Sequence, residues 1–182
     1  MSTDKPLRAD ARRNRARVLA AADEVFSAKG VAAPTDEVAR HAGVGVGTVF
    51  RHFPTKEALL EAVLVERFAR LAAEARDLAG AADPGAALFG LLARVVGQSA
   101  SKNVFTEALT ASGIDPADAV ADVGRDLRAA LDQLLVRAQK AGAVRDDIRT
   151  GELIALMVGA SHAVRHSDRA PAVIFDGLRP RP

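Results

Sequence analysis

From Val18 to Leu178 the apolar residues of this chain recur every three or four positions, and that spacing commits it to helices. Val18, Ala22, Val25 and Phe26 stand at i, i+4, i+7 and i+8, one face of a helix. The stripe returns as Leu59, Leu60, Val63, Leu64, Phe68 and Leu71, and again as Leu88, Leu91, Leu92, Val95 and Val96. A longer one holds Val120, Val123, Leu127, Leu131, Leu134 and Leu135. A half-buried strand needs alternation with period two, and no stretch sustains it. Glycines mark the stops: Lys29-Gly30, Ala42-Gly43, Ser112-Gly113, and Gly142 past the longest stripe. The expectation is an all-α protein of about nine helices.

The breaks set the order of these helices. The first ends at Lys29, the second runs from Thr35 to Ala42, and the third from about Gly45 to Phe53. Phe53-Pro54-Thr55 separates it from a long fourth helix over about 55–79. Gly80 to Gly85 is a linker, and the fifth helix runs from Pro84 to about Ser99. A sixth carries Val104, Phe105, Ala108 and Leu109, and Asp115-Pro116 opens a long seventh. Thr150 caps an eighth with Leu153, Leu156 and Met157, and a short last helix over about 171–178 is expected to bury Val173 and Ile174. The expected division is a first domain over residues 10–70 and a second over 71–182.

Composition removes several function classes. With 182 residues, 49% hydrophobic and 26% charged, the chain can bury a sizeable core. It has no cysteine, so no disulfide framework, thiolate metal site or cysteine nucleophile is available. The longest weakly polar stretch, Leu153 to Val164, is 12 residues and contains Ser161 and His162. A membrane span needs about 20 apolar residues, so no membrane contact is expected. The basic, polar N-terminus lacks the apolar run of a secretory signal, which makes a cytoplasmic protein the expectation.

Enzyme chemistry finds no foothold either. There is no serine on a nucleophile elbow, no carboxylate pair in an apolar setting, and no phosphate-cradling loop after a strand. Gly43-x-Gly45-x-Gly47 follows a helix, which removes it from the dinucleotide-binding class. His162 and His166 stand at i, i+4 with only Asp168 nearby, a poor metal set, and they read as surface or interface histidines. No metal and no cofactor is implied.

Charge is uneven. Residues 1–57 hold ten Lys/Arg against seven Asp/Glu, and the remainder 15 against 16. Much of the excess is one run, Arg8, Arg12, Arg13, Arg15 and Arg17, opposed there by Asp10. Such a run reads either as a basic arm for phosphates or as a solvated terminus.

Residues 34–53 have the spacing of a helix-turn-helix. Two short helices that cross closely need a small residue, and Ala39 is there. Their turn needs a residue that tolerates positive φ, supplied by Gly43. Val38, Val44 and Val49 are spaced to bury the pair against the first helix. Gly45 and Gly47 suit a backbone that something else approaches closely; the alternative is a turn glycine and a tolerated first-turn glycine.

The stretch Thr35-Asp-Glu-Val-Ala-Arg-His-Ala-Gly-Val-Gly-Val-Gly-Thr-Val-Phe-Arg-His-Phe-Pro-Thr-Lys-Glu-Ala-Leu59 resembles the DNA-binding signature of the TetR family of bacterial transcription regulators. The resemblance covers about residues 12–70; beyond it only helix number and length are similar. It implies that the third helix enters the major groove, with Val46, Gly47 and Thr48 toward base edges. Phe50 matches a position usually held by tyrosine, so the phenol's phosphate contact is missing. The resemblance also gives Arg51 and His52 backbone or flanking-base contacts, and gives Thr35 and Lys56 phosphates. The arginine arm adds non-specific affinity. Phe53 reads as core at the junction of helices, and His41 as a surface residue.

The family's second domain binds effector and partner. An apolar effector pocket is expected among Phe89, Leu92, Val96, Phe105, Leu109, Leu131, Leu135 and Met157, all of which also read as plain core. Gln98, Ser99, Asn103 and Thr106 are the nearby polar groups. Leu153, Leu156, Met157, Ala160, Val164, Ile174 and Leu178 are the expected interface of a homodimer. Two reading heads would then address a pseudo-palindromic operator. The function implied is a ligand-responsive repressor of transcription, with the fourth helix carrying change between domains. The alternative is a helical small-molecule-binding protein with an idle DNA-binding head.

Overall fold

The computed structural model describes residues 4–180, apart from the side chains of 4–9 and 99–103, so those of Arg8, Ser99 and Asn103 lie outside the described residues. Ten helices and no strand occur among them. They are α1 (Asp4–Lys29), α2 (Thr35–Ala42), α3 (Val46–His52), α4 (Lys56–Leu78), α5 (Pro84–Gly97), α6 (Ser99–Ala111), α7 (Pro116–Ala119), α8 (Ala121–Lys140), α9 (Thr150–Ala163) and α10 (Ala170–Asp176). None is long and apolar enough to cross a membrane. The expected ends of α2 to α5 hold to within two residues.

Three local expectations change. The arginine run is not an arm ahead of the first helix, because α1 already begins at Asp4. Alanine, arginine and leucine dominate that stretch, and all three favour helix. The single long helix after Asp115-Pro116 is two, α7 and α8, broken at Val120 (φ −104, ψ 11). Asp115 Oδ1 accepts from the Ala117 N–H at 2.8 Å and starts α7, but α7 buries no residue that would hold it in line. Thr150 is the first residue of α9 and not its cap. Its buried hydroxyl donates to Asp132 of α8, and the Arg149 N–H is satisfied by Glu152 at 2.8 Å.

The chain forms two compact units, one through Glu66 together with Val104–Ala119, the other Arg67–Asn103 with Val120–Pro182. In the first, Val18, Ala22, Val25 and Phe26 of α1 are buried with Val38 and Ala39 of α2, Val49 of α3, and Leu59, Leu60, Val63 and Leu64 of α4. Phe105 and Leu109 of α6 are fully buried here too. The Phe105 ring meets Phe26 edge-on, centroids 6.1 Å apart at 73°, a favoured aromatic geometry.

The second unit packs α5, α8, α9 and α10 around Leu88, Leu91, Leu92, Leu131, Leu134, Leu135 and Leu153. Asp83 caps α5, accepting from Ala86 N–H at 2.9 Å with Pro84 at the first helical position. Gly85 stands against the chain that follows α8: a Cβ built there would lie 2.4 Å from the Ala143 Cβ. Gly85→Ala should therefore destabilise the protein by about 1–3 kcal/mol through overpacking. Urea unfolding reads this as a lower midpoint at unchanged m-value. An unchanged midpoint would show that α5 is not held against Ala143.

Candidate nucleic-acid interface

Helix α2 is tied to α1 near both ends. Lys29 donates to Glu37 in the first turn of α2, and this hydrogen bond holds the Glu37 carboxyl below its ordinary range. His41 Nε2 lies 2.6 Å from the Glu24 carboxylate at the other end, so the surface histidine is a tie. The turn that follows is a Schellman motif. Gly43 is left-handed (φ 63, ψ 38), its N–H donates to Arg40 O at 3.1 Å, and the Val44 N–H to Ala39 O at 3.0 Å. A side chain at Gly43 would sit in a strained conformation and meet Arg17 Nη2 at 3.3 Å.

Two arginines of α1 reach across to this region. Arg17 Nη2 donates to Ala42 O at 2.6 Å and to Gly43 O at 3.1 Å. Arg15 places its guanidinium 5.2 Å from the centre of the Phe53 ring. Arg13 pairs with Asp10, while Arg12 has no ion pair or side-chain hydrogen bond among the described residues. The run, which sequence leaves as either a phosphate arm or a solvated terminus, thus divides, with Arg15 and Arg17 bound at Phe53 and at the turn before α3.

Helix α3 has two opposed faces. Val49 is fully buried, and Phe53 beyond its last turn is buried as expected. Phe53 leaves the helix at φ −137, and the following Pro54 disfavours continuation. On the other face Val46 is 39% exposed and Phe50 44%, large apolar side chains left partly in water. Gly47 and Arg51 are exposed beside them, while Thr48 and His52 are half-buried at the flanks. Arg51 has no ion pair or hydrogen bond among the described residues. The helix sequence VGTVFRH contains no carboxylate. Such a face is apolar with one free cation at its C-terminal end, which suits thymine methyls and phosphates.

Thr35 and Lys56 are half-buried at the first turns of α2 and α4. Lys56 Nζ lies 5.7 Å from the Phe26 ring centre. Thr55 Oγ1 caps α4 by accepting from Ala58 N–H at 3.1 Å. Gly45 and Gly47 have open space where a Cβ would stand, so packing within the chain does not require glycine at either.

The residues expected to line an effector pocket fall in both units. Phe105 and Leu109 belong to the first unit, where Phe105 packs on Phe26. Their stripe reported a buried face but could not say which element covers it. Leu92, Val96, Leu131, Leu135 and Met157 share the second unit's core, and half-buried Phe89 lies under Arg179, 4.6 Å from guanidinium to ring centre. An open groove of about 610 Å³ runs along α8, bordered by Leu135, Arg125, Arg128, Arg149, Asp132 and Asp146. Of the expected pocket residues only Leu135 borders this groove.

The expected dimer residues divide as well. Leu153, Ala160 and Leu178 are fully buried within the chain and present no surface to a partner, because they close the core against α5 and α8. Leu156, Val164 and Ile174 are half-buried. Val158 on α9 is 50% exposed, and Val173 on α10, expected to be buried, is 64% exposed. His162 Nδ1 lies 3.0 Å from Arg165.

This architecture has known counterparts. Residues 18–63 match the family model of bacterial regulatory proteins of the tetR family, and residues 83–180 match the C-terminal domain of SbtR-like transcriptional regulators. A TetR transcription regulatory protein from Mycobacterium vanbaalenii is 45% identical, with 96% of this chain and 100% of that one covered at a TM-score of 0.80. A TetR transcriptional regulator from Streptomyces coelicolor is 35% identical over 92% of this chain and 99% of its own, TM-score 0.74. Two HTH-type regulators of Pseudomonas putida, the uncharacterized TtgW and SrpR, are each 48% identical over 60 residues, 32% of this chain. That match spans 45% and 28% of their own lengths, less than half of either. With both ends matched by family models and two solved relatives covered nearly end to end, the chain belongs to the TetR family of DNA-binding bacterial transcription regulators.

Proposed function

We propose that two copies of this chain bind a pseudo-palindromic operator in the cytoplasm as a repressor, and that a small apolar effector in the second unit releases them. The observation that carries the DNA half is the outer face of α3, where Val46, Gly47, Phe50 and Arg51 stand exposed opposite buried Val49. Val46 touches a thymine methyl, Thr48 reaches a base edge or phosphate, and Gly47 lets the duplex approach. Arg51 and His52 meet the backbone or flanking bases, and Thr35 and Lys56 hold phosphates.

A seven-residue reading helix is a small grip, and two-fold symmetry doubles it. Exposed Val158 and Val173, with half-buried Leu156, Val164 and Ile174, support α9 and α10 as the face of the partner copy. An apolar effector beside Phe89 has to part α5 from the helices packed on it, because Leu92, Leu131 and Leu135 are close-packed. It then releases DNA only by the difference in its affinity for the two forms; a change from mostly bound to mostly free requires on the order of 10⁴-fold.

Fluorescence anisotropy of the full chain against its own upstream DNA and a scrambled duplex, across a salt series, tests the regulator directly. The expected preference is about 10³-fold or more with a steep salt slope. Equal, weak binding to both would favour a small-molecule-binding protein with an idle head. Equal affinity of an effector for free and DNA-bound protein would remove the release mechanism.

Contact assignments are tested in the same assay. Thr48→Ala and Arg51→Ala should each weaken operator binding by about 10- to 100-fold with melting unchanged. Unaltered specificity would remove them from the interface. Gly47→Ala should leave stability equal or raise it by up to about 1 kcal/mol, since alanine is the better helix former, while operator affinity falls. Retained affinity would mean that the duplex does not come close there.

A further inference from the structure

Arg17 lies on α1, 25 residues before the first carbonyl it binds. In the Schellman turn Gly43 N–H and Val44 N–H satisfy Arg40 O and Ala39 O. No backbone donor reaches Ala42 O among the described residues, and the carbonyl end of α2 carries the negative end of its dipole. The Arg17 guanidinium meets both needs, bridging Ala42 O and Gly43 O through one nitrogen while Nη1 lies 3.5 Å from Asn14 Oδ1. Arg15 holds the other end of α3 through the face of Phe53. The reading helix is bracketed by α1, at the turn that enters it and at the residue that leaves it.

We propose that Arg17 is a positioning residue for operator recognition, fixing the angle of α3 on α2 by clamping the turn carbonyls, and not a phosphate contact. Val49 and Phe53 anchor α3 beyond the turn, but at its entry Gly43 and Gly45 flank Val44, and an added Cβ would meet only Arg17 Nη2 at Gly43 and nothing within 4 Å at Gly45, so Arg17 is the side chain that fixes the entry angle. Base-edge contacts demand one orientation of α3, whereas contacts to phosphates alone tolerate many. A lost clamp therefore removes specific affinity first. The inference rests on α3 reading DNA.

The test uses the full chain with Arg17→Met, which keeps an apolar stem, and Arg17→Lys, which keeps the charge. Hydrogen exchange of the Val44 amide, measured without DNA, reports the turn itself. In Arg17→Met it should quicken about tenfold, and affinity for the protein's own upstream DNA should fall about tenfold, the worth of a charge-assisted hydrogen bond. Scrambled-DNA affinity and salt slope should stay as in the wild type. Arg17→Lys should lose part of the preference, because a compact ammonium lacks the flat fork that spans two carbonyls.

A phosphate contact gives the opposite pattern and overturns the proposal: equal loss on both duplexes, a salt slope smaller by about one, and near-complete rescue by lysine. Unchanged Val44 exchange overturns it as well. Should Arg17→Met not fold, the lysine variant decides alone, since wild-type behaviour there contradicts the clamp. A wild-type chain without preference for its own DNA defeats the operator reading, while Val44 exchange still judges the clamp.

Discussion

Helices of seven and eight residues do not persist in water on their own. Nucleating one fixes several dihedrals for a single hydrogen bond, and two turns return too few bonds to offset that. Helices α2 and α3 exist because α1 holds them, and the form of the DNA-binding unit follows from that dependence. Val38 and Ala39 bury one face of α2, and the Lys29–Glu37 and Glu24–His41 pairs pin its two ends. The Glu24–His41 pair is largely exposed and contributes little stability, while Glu37 is half-buried beside an exposed Lys29; the geometric effect of both pairs is to fix α2 along α1. Val49 and Phe53 then anchor α3 by only two side chains, which leaves its opposite face free for another molecule.

The second unit obeys a different constraint. Its helices are longer, its core is continuous, and its stability comes from close packing of leucines. Here a glycine can be a packing device: Gly85 has no room for a methyl beside Ala143, and α5 passes close to the chain after α8 for that reason. Helix α6 belongs to the first unit from Val104 onward. The edge-on contact of Phe105 with Phe26 is what an apolar stripe on α6 amounts to in three dimensions.

Much of this was legible in sequence because it is local. The stops at Gly43 and Gly142, the start of α5 at Pro84 and the spacing of residues 34–53 are each decided within a few residues. What sequence left open depends on long-range partners. The stripe of Phe105 and Leu109 has the same period whichever unit covers it. Leu153 and Ala160 share α9 with Val158, but only the fold shows that the first two face inward and the third outward. The arginine run looked uniform because charge carries no direction. Arg13, Arg15 and Arg17 are close neighbours in sequence, yet they meet Asp10, an aromatic ring and two carbonyl oxygens.

Glycines separate what the fold needs from what it merely permits. Gly43 is required by its positive φ and Gly85 by the methyl opposite it. Gly45 and Gly47 have neither reason: their backbone is ordinary, and an added Cβ would meet nothing within 4 Å. At Gly47, inside the first turn of α3, alanine would favour the helix by up to about 1 kcal/mol. A chain selected only to hold this fold would gain by that replacement. On the function proposed above, the glycine leaves room for a duplex that comes close to the helix backbone. The neighbouring exposure of Val46, Phe50 and Arg51 supports that reading, since an anionic duplex with methyl groups along its groove suits both the space and the charge of the outer face of α3.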